Sequence, residues 1–218
     1  MRTLDAAPLQ HLELLLHRYP LLQKNRSEIV QAYFLLESCF QNQGKLLIAG
    51  NGGSAADADH IVGELMKSFK KPRTRSQSFS DKLSALSPEW GDYIAGQLQG
   101  ALPAIALDGH PALSTAFLND TNGLLVFAQQ LSGYGVPGDV FLALSTSGNS
   151  QNLVFAALVA RALDMPIISM TGEKESRLSE ISDVTIRVPA TETYQVQELH
   201  LPVYHCLCLM LEAHFFPE

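Results

Sequence analysis

A run of hydroxyl and amide side chains directly follows a buried strand pattern in the second half of the chain. The residues after the apolar segment 140–144 are Ser145, Thr146, Ser147, Gly148, Asn149 and Ser150. The unpaired N–H groups and the positive dipole end of a helix start attract an anion, and hydroxyl groups can orient it. The run therefore predicts a phosphate cradle, while the same residue types also serve as ordinary helix N-caps.

A glycine-rich turn follows an earlier apolar strand pattern over 45–49. It consists of Gly50, Asn51, Gly52, Gly53, Ser54 and Ala55. Glycines allow a tight turn and let the backbone come close to a ligand. Two strand-to-helix turns of this composition favour a polar, phosphorylated ligand.

The glycine turn also fits the G-x-G-x-x-A fingerprint of dinucleotide binding, so an NADP-binding oxidoreductase is one alternative. An acidic ribose ligand is expected about twenty residues further on. The chain instead has basic residues there, namely Lys67, Lys70, Lys71 and Arg73. These residues would at best suit a 2′-phosphate.

Two side chains on the helix predicted after the glycine turn have the types that acid–base or metal chemistry needs. His60 and Glu64 are four residues apart on this helix, so they share a face and can share one ligand. His205 lies on the last predicted helix. Taken alone, the first two also fit a surface pair, and His205 fits a core histidine.

The hydrophobic pattern places these residues on an α/β framework. Two amphipathic helices are predicted within 1–43, and apolar strands then alternate with helices. Unbroken apolar strands indicate a parallel sheet covered on both faces, with ligands at the carboxyl ends of the strands. The predicted strands are 45–49, 103–107, 139–144, 166–170 and 183–188. The predicted helices after the first two are 53–69, segments within 111–131, 149–163 and about 194–216.

Size and composition limit the class of protein to which this chain can belong. A chain of 218 residues with 46% hydrophobic content fills one sizeable core, so we expect a single domain over 1–218. The net charge of −7 disfavours a nucleic-acid surface. No apolar run approaches the roughly 18 residues of a membrane span, and the N-terminus lacks a signal-peptide pattern. We expect a cytoplasmic protein without nucleic-acid or membrane partners.

Two smaller features complete the composition. The basic segment from Lys67 to Arg75 is interpreted as solvated surface or as a rim that attracts phosphate. Cys39, Cys206 and Cys208 form no C-x-x-C pair and cannot all be bridged, which indicates reduced thiols acting as small buried hydrophobes.

Four separated motifs together resemble the sugar isomerase (SIS) domain family, and within it the phosphoheptose isomerases. The motifs are 51–54 with 60–64, then 119–120, 145–150, and 197–200 with His205. Order and spacing match from about Gly44 to the C-terminus. The resemblance implies a three-layer α-β-α sandwich with a five-stranded parallel sheet, flavodoxin-like, preceded by N-terminal helices. It also implies a homotetramer. The apolar last helix and the leucine-rich first helix would contribute its interface, unless they pack within one subunit.

The resemblance further implies an aldose–ketose isomerase acting on a sugar phosphate through an enediolate. Sedoheptulose 7-phosphate to glycero-manno-heptose 7-phosphate is the closest match. In this sequence Glu64 and His205 correspond to the catalytic pair. The positions matching the family's metal site, usually zinc, are His60, Glu64, Gln197 and His205. Gln197 and His205 are eight residues apart on the last predicted helix, which corresponds to about 12 Å of rise, so long side chains or a second subunit must help if they share one metal. The positions matching substrate contacts are Asn51, Gly52, Gly53, Ser54, Glu64, Asn119, Asp120, Ser145, Thr146, Ser147, Ser150 and Gln197.

One region departs from the family pattern, and one further alternative stays open. Within 71–102 the chain inserts a segment with Trp90 and Tyr93 where the family has a short connection. A long loop here is expected to form a lid or an oligomer contact, so the exact sugar is left open. The alternative is a non-catalytic SIS protein that binds the replication initiator. Relatives of that kind lack residues matching Glu64 and His205.

Overall fold

The computed structural model describes residues 3–217, in which helices and strands follow the predicted order. The α-helices are α1 (Ala6–Arg18), α2 (Arg26–Gln41), α3 (Gly53–Met66), α4 (Gln77–Leu86), α5 (Gly91–Gln97), α6 (Pro111–Asp120), α7 (Val126–Tyr134), α8 (Gln151–Ala162), α9 (Arg177–Ile181) and α10 (Thr193–Phe215). The strands are β1 (Leu46–Gly50), β2 (Ala104–Ala106), β3 (Val140–Leu144), β4 (Ile167–Thr171) and β5 (Val184–Arg187). Short 3-10 turns occupy Pro20–Asn25 and Gly123–Leu125.

The strands form one five-stranded, all-parallel sheet within the described residues, in the order β2-β1-β3-β4-β5. Each strand overlaps its predicted range, because strands buried on both faces appear in the sequence as unbroken apolar runs. The strand order reverses direction at β1, whose neighbour on the other side is β3. Gly50 is in register with Leu144, so the glycine turn and the hydroxyl-rich run leave neighbouring strand ends. Ligands bind at this kind of switch point in open α/β sheets.

Two hydrophobic clusters cover the two faces of the sheet, which confirms the three-layer architecture. One cluster joins α1, α2, α3 and α10 to residues such as Ile48 and Leu144. The other joins α7, α8 and α9 to residues such as Leu47 and Phe141. Alternate residues of one strand therefore pack into the two different clusters, one on each face of the sheet.

The last helix, α10, is apolar because it is buried within the subunit. It packs against α1, α2 and α3, and residues such as Val203, Cys206 and Leu207 are at most 4% exposed. Intramolecular packing thus accounts for its composition, and the homotetramer stays a prediction. All three cysteines are free and buried, as expected. In residues 3–217, no helix has the length and apolar character needed to cross a bilayer.

The end of α3 and the start of α8 differ from the predicted bounds. The helix ends at Met66 instead of 69, and Lys67 adopts extended backbone angles. The backbone N–H groups of Phe69, Lys70 and Lys71 donate to the Glu212 carboxylate from α10, which replaces further helical hydrogen bonds. Similarly, α8 begins at Gln151 and not at 149, because Ser150 is still extended.

The inserted segment is a folded helical hairpin and not a loop. Its helices, α4 and α5, pack on each other. The hairpin closes where Thr74 and Gln99 form an antiparallel bridge, beside a hydrogen bond of 2.6 Å from Gly100 N to Arg73 O. Several of its large apolar side chains are exposed, including Leu86 and Tyr93. Whether it covers a ligand or another subunit stays a prediction.

Candidate functional site

The turn between β1 and α3 needs glycine at two positions. Gly52 has a positive φ of 57°, which disfavours residues with a Cβ atom. A Cβ atom at Gly53 would lie 2.6 Å from Nε2 of Gln197. Gln197 of α10 therefore lies directly against the glycine turn, at the start of α3.

The hydroxyl-rich run after β3 forms a tight loop around a buried serine. Ser145 is 3% exposed, and its Oγ accepts from Gly148 N at 3.2 Å and lies 3.2 Å from Oγ of Ser150. Ser150 stands at the N-cap position of α8, yet its hydroxyl makes no capping hydrogen bond. Ser150 therefore does not act as an ordinary helix cap, and the phosphate cradle stays a prediction. Thr146 and Ser147 of the loop line a recess of about 230 Å³.

A reciprocal amide pair connects the two turns. Asn51 donates to Oδ1 of Asn152 at 3.1 Å, and Asn152 donates back to Oδ1 of Asn51 at 2.8 Å. Asn152 also accepts from Leu153 N at 3.0 Å, which fixes it at the start of α8. Sequence reasoning missed Asn152, since a polar residue in a first helical turn is ordinarily solvated. The pair holds the glycine turn and the hydroxyl loop as one surface.

Three of the predicted catalytic and metal-binding residues lie close together between α3 and α10. Nε2 of His60 lies 3.1 Å from Oε1 of Glu64 and 3.4 Å from Nε2 of His205. The side chain of Glu64 is only 13% exposed, whereas that of His60 is 43% exposed. We call these three residues the His60 cluster. Because α3 starts at the glycine turn, which follows the carboxyl end of β1, His60 and Glu64 lie about two to three helical turns after the start of this helix, and His205 reaches them from α10.

The His60 cluster has the geometry of a metal site. One ligand atom from each residue lies within 4.8 Å of the others. Two ligands of a tetrahedral ion with bonds of about 2.1 Å are about 3.4 Å apart, which is the observed separation of the two histidine nitrogens. Oε2 of Glu64 accepts no hydrogen bond among the described residues, and Nζ of the exposed Lys67 lies 3.7 Å from it. Two histidine nitrogens and a largely buried carboxylate are donors that fit a divalent cation.

The surroundings of His205 favour its neutral imidazole. Burial lowers the pKa of His205, the nearby His60 lowers it further, and Glu64 partly opposes both. A neutral imidazole is the form that binds a metal or accepts a proton. His205 is half-buried and lies 3.4 Å from His60, so it is not a core histidine, although its neighbours Tyr204 and Cys206 are buried.

Two residues that sequence reasoning missed lie behind His60. The Tyr204 hydroxyl donates to Oδ1 of Asp57 at 3.1 Å and lies 3.0 Å from Nδ1 of His60. Burial raises the pKa of Tyr204, and the charge of Asp57 raises it further, so the phenol keeps its proton. Burial also raises the pKa of Asp57, and the hydrogen bond from Tyr204 and the nearby His60 partly oppose this rise. Position 57 is three residues before His60 on α3, which was the available signal.

Arg73 was wrongly interpreted as part of a solvated or phosphate-attracting segment. Its side chain is fully buried, with Nε 2.8 Å from Oε1 of Glu212. Nη1 donates to Leu65 O at 2.7 Å and Nη2 to Glu64 O at 2.9 Å. The guanidinium therefore caps the end of the helix that carries the His60 cluster.

Two predicted substrate contacts lie on α6, and not on the elements that carry the two turns and the His60 cluster. Asn119 donates to Asp120 at 2.8 Å, and both are exposed at the end of α6. Within residues 3–217, no hydrogen bond connects either residue to the two turns or to the His60 cluster. Their role as substrate contacts stays a prediction.

A doubly wound parallel sheet with two anion-suited turns at its switch point and an acid–base cluster beside them is the architecture of the SIS-domain phosphosugar isomerases. A family model described as SIS domain matches residues 94–172. The chain is 34% identical to a phosphoheptose isomerase of Coxiella burnetii over 193 residues, which is 87% of this chain and 84% of the relative. The chain therefore belongs to the phosphoheptose isomerase family.

Solved structures agree with this membership. A phosphoheptose isomerase from Neisseria gonorrhoeae superimposes with a TM-score of 0.65 at 32% identity, covering 84% of both chains. One from Francisella tularensis gives a TM-score of 0.69 at 31% identity, covering 85% of both chains.

Proposed function

We propose that the chain interconverts sedoheptulose 7-phosphate and glycero-manno-heptose 7-phosphate by proton transfer through an enediolate. The observation that carries the proposal is the meeting of His60 and Glu64, on the helix that begins at the glycine turn, with His205 of α10. Family membership supports the same reaction, since the similar proteins of Coxiella and Neisseria are named phosphoheptose isomerases.

The loop after β3 would hold the phosphate group. Its backbone N–H groups and the hydroxyls of Ser145, Thr146, Ser147 and Ser150 are donors of the kind that phosphate accepts. The glycine turn, with Asn51 to Ser54, would contact the sugar chain between the phosphate and the His60 cluster. Gln197 against Gly53 would contact it too, and Asn119 and Asp120 are proposed as further substrate contacts. Binding energy from the remote phosphate would orient the reacting carbons.

Glu64 is proposed as the base that moves the carbon-bound proton. Its carboxylate would take the proton from C1 of the ketose and return it to C2, while His205 would carry the hydroxyl proton from O1 to O2. Each proton that leaves is returned, so the reaction is an isomerisation without net gain or loss. The neutral state favoured by the lowered pKa of His205 suits this shuttle.

We propose zinc as the metal, with His60, Glu64 and His205 as ligands and Gln197 as the fourth position implied by the resemblance. Zinc would supply Lewis-acid polarisation of the oxygens at the reacting end of the sugar. The observation behind this assignment is the Glu64 carboxylate, whose Oε1 lies 3.1 Å from Nε2 of His60, beside the second histidine nitrogen of His205. A homotetramer in the cytoplasm is part of the same proposal and rests on the family resemblance.

The other two functions have less support. NADP binding would use the basic residues after α3, of which Arg73 is engaged by Glu212 and by carbonyl oxygens of α3, and Lys67 lies 3.7 Å from Glu64. A non-catalytic initiator-binding protein would not need Glu64 and His205 assembled with His60.

The test is turnover of the Glu64→Gln variant on ketose phosphates of seven, six and five carbons, with chelator and with added zinc. Loss of the base is expected to lower kcat at least about 10²-fold, while binding of the sugar phosphate is retained. Glu89→Gln, at an exposed glutamate of the inserted hairpin, is the matched control and should keep wild-type turnover. Undiminished turnover in Glu64→Gln would remove Glu64 from this role, and a faster six- or five-carbon substrate would correct the sugar.

A further inference from the structure

We infer that Asp57 and Tyr204 are positioning residues that fix the His60 ring with its proton on Nδ1, so that the Nε2 lone pair faces Glu64 and His205. This inference deepens the proposed metal role of the His60 cluster and rests on it for its function.

The proton count on Tyr204 sets the direction of the chain of hydrogen bonds. Its hydroxyl lies between Oδ1 of Asp57 at 3.1 Å and Nδ1 of His60 at 3.0 Å. A carboxylate can only accept, so the single phenolic proton points to Asp57. The phenolic oxygen is then an acceptor, and Nδ1 of His60 must donate to it. In a neutral imidazole this leaves Nε2 without a proton.

The position of Tyr204 makes this arrangement rigid. Its side chain is 1% exposed and its ring packs edge-on against His60, with centroids 5.6 Å apart. The next residue of α10, His205, packs edge-on against the same ring at 4.9 Å. Consecutive residues of one helix thus contact the two different nitrogens of His60. Asp57, three residues before His60, completes the chain from α3 itself.

The consequence appears on the other side of the ring. An unprotonated Nε2 lies 3.1 Å from a carboxylate oxygen of Glu64 and 3.4 Å from Nε2 of His205. A lone pair of Nε2 of His60 and a lone pair of Oε1 of Glu64 then face each other without a proton between them. A cation between these atoms satisfies them together, whereas the opposite tautomer would place a proton in its way. Outer partners of this kind set the tautomer and basicity of metal-binding histidines.

The first test reads the tautomer directly. In metal-free protein labelled with ¹⁵N-histidine, long-range ¹H–¹⁵N spectra should show His60 protonated at Nδ1, with His60→Gln identifying its signals. Tyr204→Phe should remove this preference. A wild-type His60 protonated at Nε2 would overturn the assignment.

The second test measures zinc affinity by competition with a chromogenic chelator. Tyr204→Phe and Asp57→Asn should each weaken binding by about 10- to 100-fold. Asp57 is partly exposed, so its variant keeps the test open if Tyr204→Phe does not fold. Tyr33→Phe is the matched control, because it removes a buried hydroxyl that bonds to Glu37 on α2, and it should leave both readouts unchanged. Unchanged tautomer and affinity in both site variants would overturn the inference. Neither readout uses substrate, so a protein without isomerase activity would count against the proposed function alone.

Discussion

Breaking the buried ion pair between Arg73 and Glu212 is expected to destabilise the protein severely. Both side chains are at most 2% exposed. Glu212 accepts from Arg73 Nε at 2.8 Å and from three backbone N–H groups of the segment after α3. Glu212→Gln removes the charge while leaving the guanidinium buried, and it offers one acceptor oxygen where the carboxylate offered two.

The size of the effect follows from the uncompensated charge. Removing one partner of a buried pair costs about 3 to 5 kcal/mol. With a urea m-value of about 2.5 kcal/mol/M, this corresponds to a midpoint lower by about 1 to 2 M. Burial opposes the ionised form of Glu212, but the backbone hydrogen bonds and Arg73 outweigh it and hold the pKa of Glu212 below its usual value. A carboxylate with a depressed pKa contributes stability that is present above its unfolded pKa, about 4.5, and lost as the pH falls through the folded value. The gap between wild type and variant should therefore narrow in acid.

The assay is urea unfolding at fixed protein concentration, at neutral pH and below pH 4.5. Arg73→Met and the double variant complete a cycle, and the coupling should exceed about 1 kcal/mol, because the double variant no longer buries a lone charge. Glu13→Gln breaks an exposed pair with Arg26 and serves as control, with no resolvable change in midpoint. If the Glu212→Gln midpoint stayed within experimental error of wild type at neutral pH, the reasoning about the buried pair would be refuted.

Two further predictions concern single buried positions. His200 is fully buried, its Nδ1 has no partner among the described residues, and burial lowers its pKa to about 4 despite a contact of Nε2 with Thr171 O. Because the unfolded histidine titrates near 6.5, stability should fall by about 2 kcal/mol between pH 7 and pH 5, and His200→Leu should abolish that component in urea unfolding; an equal pH slope in both proteins would contradict this. Gly148 has a φ of 67°, and a Cβ there would overlap Ser176. Gly148→Ala should therefore raise KM for the sugar phosphate about tenfold or more and lower the melting temperature, whereas Gly133→Ala, in open space on α7, should lower neither stability nor affinity.

The sheet was predictable because its signal is local. Each buried strand is a continuous apolar run, so the predicted strands overlap the observed ones, and the strand ends placed both turns at one edge. Within α3, the four-residue spacing was enough to put His60 and Glu64 on one face. These inferences needed no knowledge of how distant segments pack.

Contacts between α3 and α10 were harder to predict. The rise between Gln197 and His205 suggested that one subunit could not easily bring both to a single site. The structure shows α10 running beside α3, with Gln197 at Gly53 and His205 at His60. Each residue thus meets a different turn of α3, and whether both share one metal stays a prediction.

Almost nothing in the sequence indicated which polar side chains are buried and paired with each other. Arg73 stands among lysines and was interpreted as surface, because its partner Glu212 lies 139 residues further along the chain. Tyr204 looks like an ordinary apolar residue of α10 until its hydroxyl is seen between Asp57 and His60. Composition alone cannot distinguish a solvated charge from a paired one.

The helical hairpin over 74–99 enters and leaves the body of the protein side by side, at Thr74 and Gln99. Its two helices make their main contacts with each other, and no sheet residue belongs to it. A segment attached in this way can be gained, lost or exchanged as a unit without altering the order of the strands. The site between Thr74 and Gln99 therefore tolerates inserted sequence next to the end of α3. A reporter domain fused at this site would leave the order of the strands in the sheet unchanged.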